Sequence, residues 1–212
     1  MKCNEFLALL PQLTFSKQRE KIDSAAKLVA DTVKSGGLIH IAGCDMHTGP
    51  ICAGFFSCEG TLACINLITD PTYSTMHSVS RAAYLRDAPL VGQFLMEYYR
   101  NIATNDTLIL NDLSATGPAA AEMLDFAKKK GVKTVYIGIK DDPGADLSLR
   151  VDQPAQLAGV YLLGLLWMLN LSAIEMLEQG GISPDIWASY DEDGGRKNEE
   201  LISKYINRIK HI

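Results

Sequence analysis

Apolar residues along this chain alternate between two spacings. Ile22, Ala25, Ala26, Val29 and Val33 recur three and four positions apart, which places them on one face of a helix that Ser35-Gly36-Gly37 stops. The run Leu38-Ile39-His40-Ile41-Ala42 follows at once and predicts a first strand over 38–42. Further β-type runs predict strands at 62–66, 107–110, 133–138 and 147–151, and helical spacing predicts helices at 90–101 and 119–130. Strands alternating with helices point to the α/β class: a three-layer αβα sandwich whose five-stranded, mostly parallel sheet is covered on both faces, flavodoxin- or Rossmann-like. The most apolar stretch, Leu157 to Leu169, is too short to span a bilayer, precedes polar Asn170 and Ser172, and fits a buried helix. Leu171, Ala173, Ile174, Met176 and Leu177 carry apolar character around that helix, so the sheet is expected on one side and another subunit on the other.

Length and charge narrow this further. A chain of 212 residues suits one domain, 1–212, with an N-terminal helix inside 1–35 and a tail at 184–212 that is expected at a subunit interface. A hydrophobic share of 47% with a formal net charge of −5 offers no concentrated basic surface, which argues against nucleic acid as a principal partner, and no membrane partner is expected. Cys3, Cys44, Cys52, Cys58 and Cys64 are odd in number, and the apolar stretch before Pro11 is too short for a secretion signal, so reduced thiols and a cytoplasmic location are expected.

Ligands of open parallel sheets sit beyond the carboxyl ends of the strands, where the strand order reverses. Two loops qualify here. Gly43-Cys44-Asp45-Met46-His47-Thr48-Gly49 follows the first strand, and Asn111-Asp112-Leu113-Ser114-Ala115-Thr116-Gly117 follows the third. Both lead into helices, whose first N–H groups lack internal partners, and Thr48, Ser114 and Thr116 add hydroxyls. Neither the dinucleotide glycine pattern nor the P-loop pattern occurs, so no nucleotide cofactor is expected. Cys44, Asp45, His47, Cys52 and His77 match no zinc spacing, so no metal is expected either. His47, His77 on the long connection 70–89, and Asp112 are the candidate proton-transfer groups, with helix capping as the competing role for His47 and Asp112. His40, between apolar strand residues, reads as a satisfied core histidine, and His211 as tail. Glu59 falls at the far end of the helix that His47 and Thr48 open.

The order of elements, with Gly36-Gly37-Leu38-Ile39-His40, Asn66 through Asp70-Pro71, and Ser189, Gly194, Gly195 and Asn198 in the end segment, resembles the SIS (sugar isomerase) domain. The likeness is to the small stand-alone bacterial phosphosugar-binding, phosphoheptose-isomerase-like proteins. The resemblance implies a sugar or sugar-phosphate crevice at the two loops, with Cys44, Asp45, Thr48, Ser114, Thr116, Ser189 and Asn198 as ligand-binding residues. It also implies a homodimer or homotetramer. Aldose–ketose isomerisation is one implied activity, and a non-catalytic sensor of a sugar derivative is the alternative. The chain departs from the resemblance at Tyr190, where Asn would be expected, in both loops, where only His47 and Ser114 are kept, and in one helix. Asp45 and Asp112 stand where the family's loops carry serines, and the helix after Gln153 has no histidine. Each aspartate facing a phosphate would cost on the order of 1–4 kcal/mol. An unphosphorylated sugar or an amino sugar is therefore a candidate ligand.

Overall fold

A computed structural model describes residues 15–45, 47–69, 88–99, 101–114, 118–189 and 194–212. The expectations for Cys3, Met46, Tyr73, His77, Arg81, Arg86 and Thr116 fall outside the described residues. A short 3-10 turn, Ser16–Gln18, leads into α1 (Arg19–Lys34), β1 (Ile39–Gly43), α2 (Thr48–Phe56), β2 (Ile65–Ile68), α3 (Val91–Tyr98) and β3 (Thr107–Asp112). There follow α4 (Ala119–Lys130), β4 (Lys133–Gly138), β5 (Leu147–Arg150), α5 (Ala155–Gln179) and α6 (Gly194–Tyr205). The strands form a five-stranded sheet in the order β2-β1-β3-β4-β5. Every pairing is parallel, where the sequence reading had allowed a mixed sheet.

The two-residue period of the strands sorts their side chains into two cores. Ile39, Ile41, Ile109, Val135 and Ile137 face one layer with α1, α2 and α5, whereas Ala42, Leu108, Leu110 and Tyr136 face the other with α3 and α4. The αβα sandwich follows from that alternation.

The strands β1, β3 and β5 differ from the pattern-based boundaries by one or two residues, and three other departures arise because a distant residue intervenes. The strand expected at 62–66 begins only at Ile65, since Leu62 makes an isolated antiparallel bridge with Ile186, and Ala63 N–H donates to Asp185 O. The helix expected at 90–101 spans Val91–Tyr98. Leu90 lies at φ 67, outside helical space, and Glu122 of α4 accepts the N–H groups of Leu90 (2.6 Å) and Gly92 (2.8 Å), capping the helix from its neighbour. The apolar stretch at 157–169 is the first half of a 25-residue helix. Asn170 does not end it: this buried side chain accepts from Leu62 N–H (3.0 Å) and donates to Gly60 O (2.9 Å). By length and composition α5 could cross a membrane, which corrects the sequence reading, and 61% of its apolar window is buried inside the protein. Val160, Leu163 and Leu171 remain exposed along it.

His40 is a core histidine held on both nitrogens. Asn66 Nδ2 donates to its Nδ1 (2.9 Å), so Nε2 carries the proton and donates to Asp106 Oδ2 (2.9 Å). Asp106 also accepts from Leu38 N–H (2.7 Å) and Ala103 N–H (2.8 Å). His211 is no free tail residue, because its Nε2 lies 2.6 Å from Tyr99 Oη. Leu201, Tyr205 and Ile209 of the C-terminal segment are likewise buried against their own chain.

Candidate functional site

β1 and β3 are neighbours in register, with Gly43 opposite Asn111, and the strand order reverses between them. Their carboxyl ends therefore deliver both loops to one place, and Cys44 N–H donates to Asn111 O (2.8 Å) across the gap. Close approach begins at Gly43, where a Cβ would lie 2.4 Å from Gly49 N. Only a residue without a side chain lets α2 start directly above the strand end.

Asp45, only 4% exposed, organises this corner. Its Oδ1 accepts the N–H groups of His47 (2.7 Å) and Thr48 (3.0 Å) at the start of α2. Its Oδ2 accepts those of Leu113 (2.6 Å) and Ser114 (3.2 Å) in the loop after β3. Thr48 returns the cap, since its Oγ1 accepts from Asp45 N–H (3.2 Å). The hydroxyl of Thr48, fully buried, thus serves the helix start.

Asp112 closes the second loop on itself. Its Oδ1 accepts from Ser114 N–H (3.1 Å) and Ser114 Oγ (3.0 Å), and its Oδ2 accepts from Tyr136 Oη (3.2 Å). Ser114 N–H consequently lies between two buried carboxylates. Burial, followed by the charge and hydrogen bond of Asp112, raises the Tyr136 hydroxyl far above its ordinary range. Burial first, then the charges of Asp112 and Asp45, raises the Cys44 thiol likewise. A thiol so placed stays protonated and is a poor nucleophile. His47 is exposed beside these groups.

Two residues that sequence reasoning did not single out belong to this corner. Tyr136 reaches Asp112 from β4, a strand whose alternating pattern offered no hint of a polar role. Asn111 is fully buried, donates from Nδ2 to Ala42 O (3.0 Å), and leaves its Oδ1 without a partner among the described residues. An amide closing the run Thr107-Leu108-Ile109-Leu110 was the available signal.

Ser189 and Asn198 lie elsewhere. They line a cavity of about 480 Å³ with Ser57, Glu59, Trp187 and His211, past the far end of α2 from Asp45. Nine helical residues separate the two places by roughly 13 Å. Asn198, 1% exposed, accepts from Ala188 N–H and donates to Ala188 O, both at 2.9 Å. Replacing it, as in Asn198→Ala, is expected to cost about 1–2 kcal/mol in urea denaturation, because two half-buried backbone groups of Ala188 lose their partners. Ligand binding at the loops should be unaffected; lost binding at unchanged stability would contradict this structural role. Among the described residues, no group of three or more His, Cys, Asp or Glu side chains is placed to hold a metal ion.

A family model described as the SIS domain matches residues 3–138. A UPF0309 protein of Shouchella clausii is 21% identical over 243 residues, covering 98% of this chain and 97% of that one. A second UPF0309 protein, from Caldanaerobacter subterraneus, is 22% identical over 231 residues, with 93% of each covered. Among solved structures, a phosphoheptose isomerase from Francisella tularensis superposes with a TM-score of 0.54 at 15% identity, covering 80% of this chain and 95% of its own. The phosphoheptose isomerase of Neisseria gonorrhoeae does so at 0.52 and 14%, covering 73% and 86%. These two likenesses establish a shared fold.

Proposed function

This chain belongs to the SIS-domain family, and on that premise we propose that the corner where the β1 and β3 loops meet binds a sugar derivative. The supporting observation is the convergence itself: at the reversal of strand order, hydrogen bonds join two helix-opening loops and bring Ser114, His47 and two carboxylates together. Sugar hydroxyls are donors and acceptors at once, and such a mixed polar set suits them.

Two solved neighbours are phosphoheptose isomerases, which favours aldose–ketose isomerisation as the reaction class. That reaction needs a base to move a proton between adjacent carbons and donors to stabilise the enediolate. We assign the base to His47, whose imidazole is exposed at the loop, with His77 and Asp112 as the alternatives and Ser114 and Thr116 as holding groups, the buried Thr48 hydroxyl being committed to the helix start. A non-catalytic sensor is the second reading, favoured by the intramolecular hydrogen bonds that both Asp45 and Asp112 already accept. We also propose that a second copy covers Val160, Leu163 and Leu171 on α5 in a homodimer or homotetramer. A monomer mass by light scattering would contradict that assembly.

Thermal shift against a panel of sugars tests the binding. A ligand at 100-fold its Kd stabilises by about 2.7 kcal/mol, a rise in Tm of roughly 5–10 °C for a chain of this size. Incorporation of solvent deuterium into a bound sugar supports the isomerase; binding without exchange supports the sensor. A panel without any response rejects both.

A further inference from the structure

We infer that Asp45 is an internal anion that occupies the loops' own anion cradle, so that the site selects an unphosphorylated sugar, neutral or amino-bearing, over a sugar phosphate. This deepens the proposed function and rests on it for the sugar, though not for the cradle.

The cradle is visible in its donors. Four backbone N–H groups from two loops, those of His47, Thr48, Leu113 and Ser114, converge within 2.6–3.2 Å of one carboxylate, two on each oxygen. Convergent N–H groups that include the open first turn of a helix are what a bound oxyanion ordinarily meets. Here the oxyanion is supplied by the chain. A phosphate could take those donors only by displacing Asp45, and it would do so beside Asp112, whose Oδ1 shares Ser114 N–H at 3.1 Å.

A second observation comes from Asn111. Its fully buried Oδ1 has no donor among the described residues and stands at the same strand end, one position before Asp112. The polar atoms gathered at this strand end are acceptors, the Asp45 and Asp112 carboxylates and, on the side facing α2, Asn111 Oδ1, and such a set suits a ligand that brings hydrogen: hydroxyls or an ammonium group. A phosphate dianion brings none.

The test compares glucose, glucosamine, glucose 6-phosphate and inorganic phosphate by thermal shift and calorimetry, on the native protein and on Asp45→Ser. The native protein is expected to bind an unphosphorylated sugar at least tenfold more tightly than its phosphate ester and to ignore inorganic phosphate. Asp45→Ser frees the four N–H groups while keeping a short capping hydroxyl, and is expected to gain at least tenfold in affinity for inorganic phosphate. Native protein that prefers the phosphate ester overturns the inference, as does a folded Asp45→Ser with no gain. If Asp45→Ser folds only when phosphate is present, the cradle is confirmed by rescue. If it folds under neither condition, the native protein's preference decides alone. Gain of phosphate binding by Asp45→Ser, with no native response to any sugar, would sink the proposed function and leave the internal anion standing.

Discussion

Gly43→Ala is expected to lower stability by about 3 kcal/mol or more and to abolish ligand binding at the loops. The new Cβ would lie 2.4 Å from Gly49 N, 2.5 Å from Thr48 C and 2.7 Å from Gly49 Cα, all of them backbone in the first turn of α2. Overpacking commonly costs 1–3 kcal/mol where side chains can yield. Here nothing flexible can yield, because the turn is tied to Asp45, and Asp45 is tied to the β3 loop. Relief would have to lift the helix start off the strand and separate the donors that define the site. Gly54→Ala makes the contrast within the same helix. Its Cβ would meet nothing within 4 Å, so a gain of roughly 0.5–1 kcal/mol is expected from helix propensity alone. Urea midpoints for the two variants check both signs, and a Gly43→Ala protein with the native midpoint would contradict the close approach.

Asp106→Ala should rank beside it, at about 3–5 kcal/mol. The side chain is fully buried and receives three donors: Leu38 N–H, Ala103 N–H and His40 Nε2. Removing the acceptor strands Leu38 N–H and His40 Nε2 away from water, each at about 1–3 kcal/mol when nothing relaxes, and leaves Ala103 N–H, on an exposed residue, to solvent. The loss spreads over β1, because His40 would keep only Asn66 as partner. The same carboxylate sets a pH dependence. Burial alone would raise its pKa, but the hydrogen bond from His40 and those from Leu38 and Ala103 outweigh it and hold the group below its ordinary range. A carboxyl depressed on folding contributes stability that is fully present above its unfolded value, about 3.9, and is lost as pH falls through the lower folded value. Stability should therefore decline below about pH 4, and Asp106→Asn should flatten that limb of the profile. An acid limb unchanged in Asp106→Asn would assign the decline to other carboxylates.

Much of the architecture was legible in local pattern. The helix at 119–130 and the strand at 133–138 match the structure to the residue, because each is bounded by its own chemistry: Pro118 before α4, and Gly131 in the left-handed conformation after it. His40 was legible as a core residue from its apolar neighbours, although nothing near it in the chain announced Asp106, 66 positions away. Errors fell where a remote residue settles a boundary. Glu122 decides where α3 begins, Ile186 decides where β2 begins, and Gly60 and Leu62, the partners of the buried Asn170, are more than a hundred positions distant from it.

The candidate site divides along the same line. Periodicity, glycine punctuation and strand–helix alternation, all properties of a few neighbouring residues, were enough to determine the αβα class and to place two loops at the carboxyl ends of their strands. The partners of those loops' polar atoms were decided by the tertiary structure alone. Asp45 looked like a hydroxyl ligand in sequence and became a bridge to Leu113 and Ser114, 68 and 69 positions on. Ser189 and Asn198, named as ligand-binding by resemblance in a tail expected at a subunit interface, line a cavity past the opposite end of α2 in their own chain. Backbone preference acts over a turn or two of chain, whereas a buried carboxylate takes whichever donors the packed sheet brings within 3 Å. Only the closed fold specifies those.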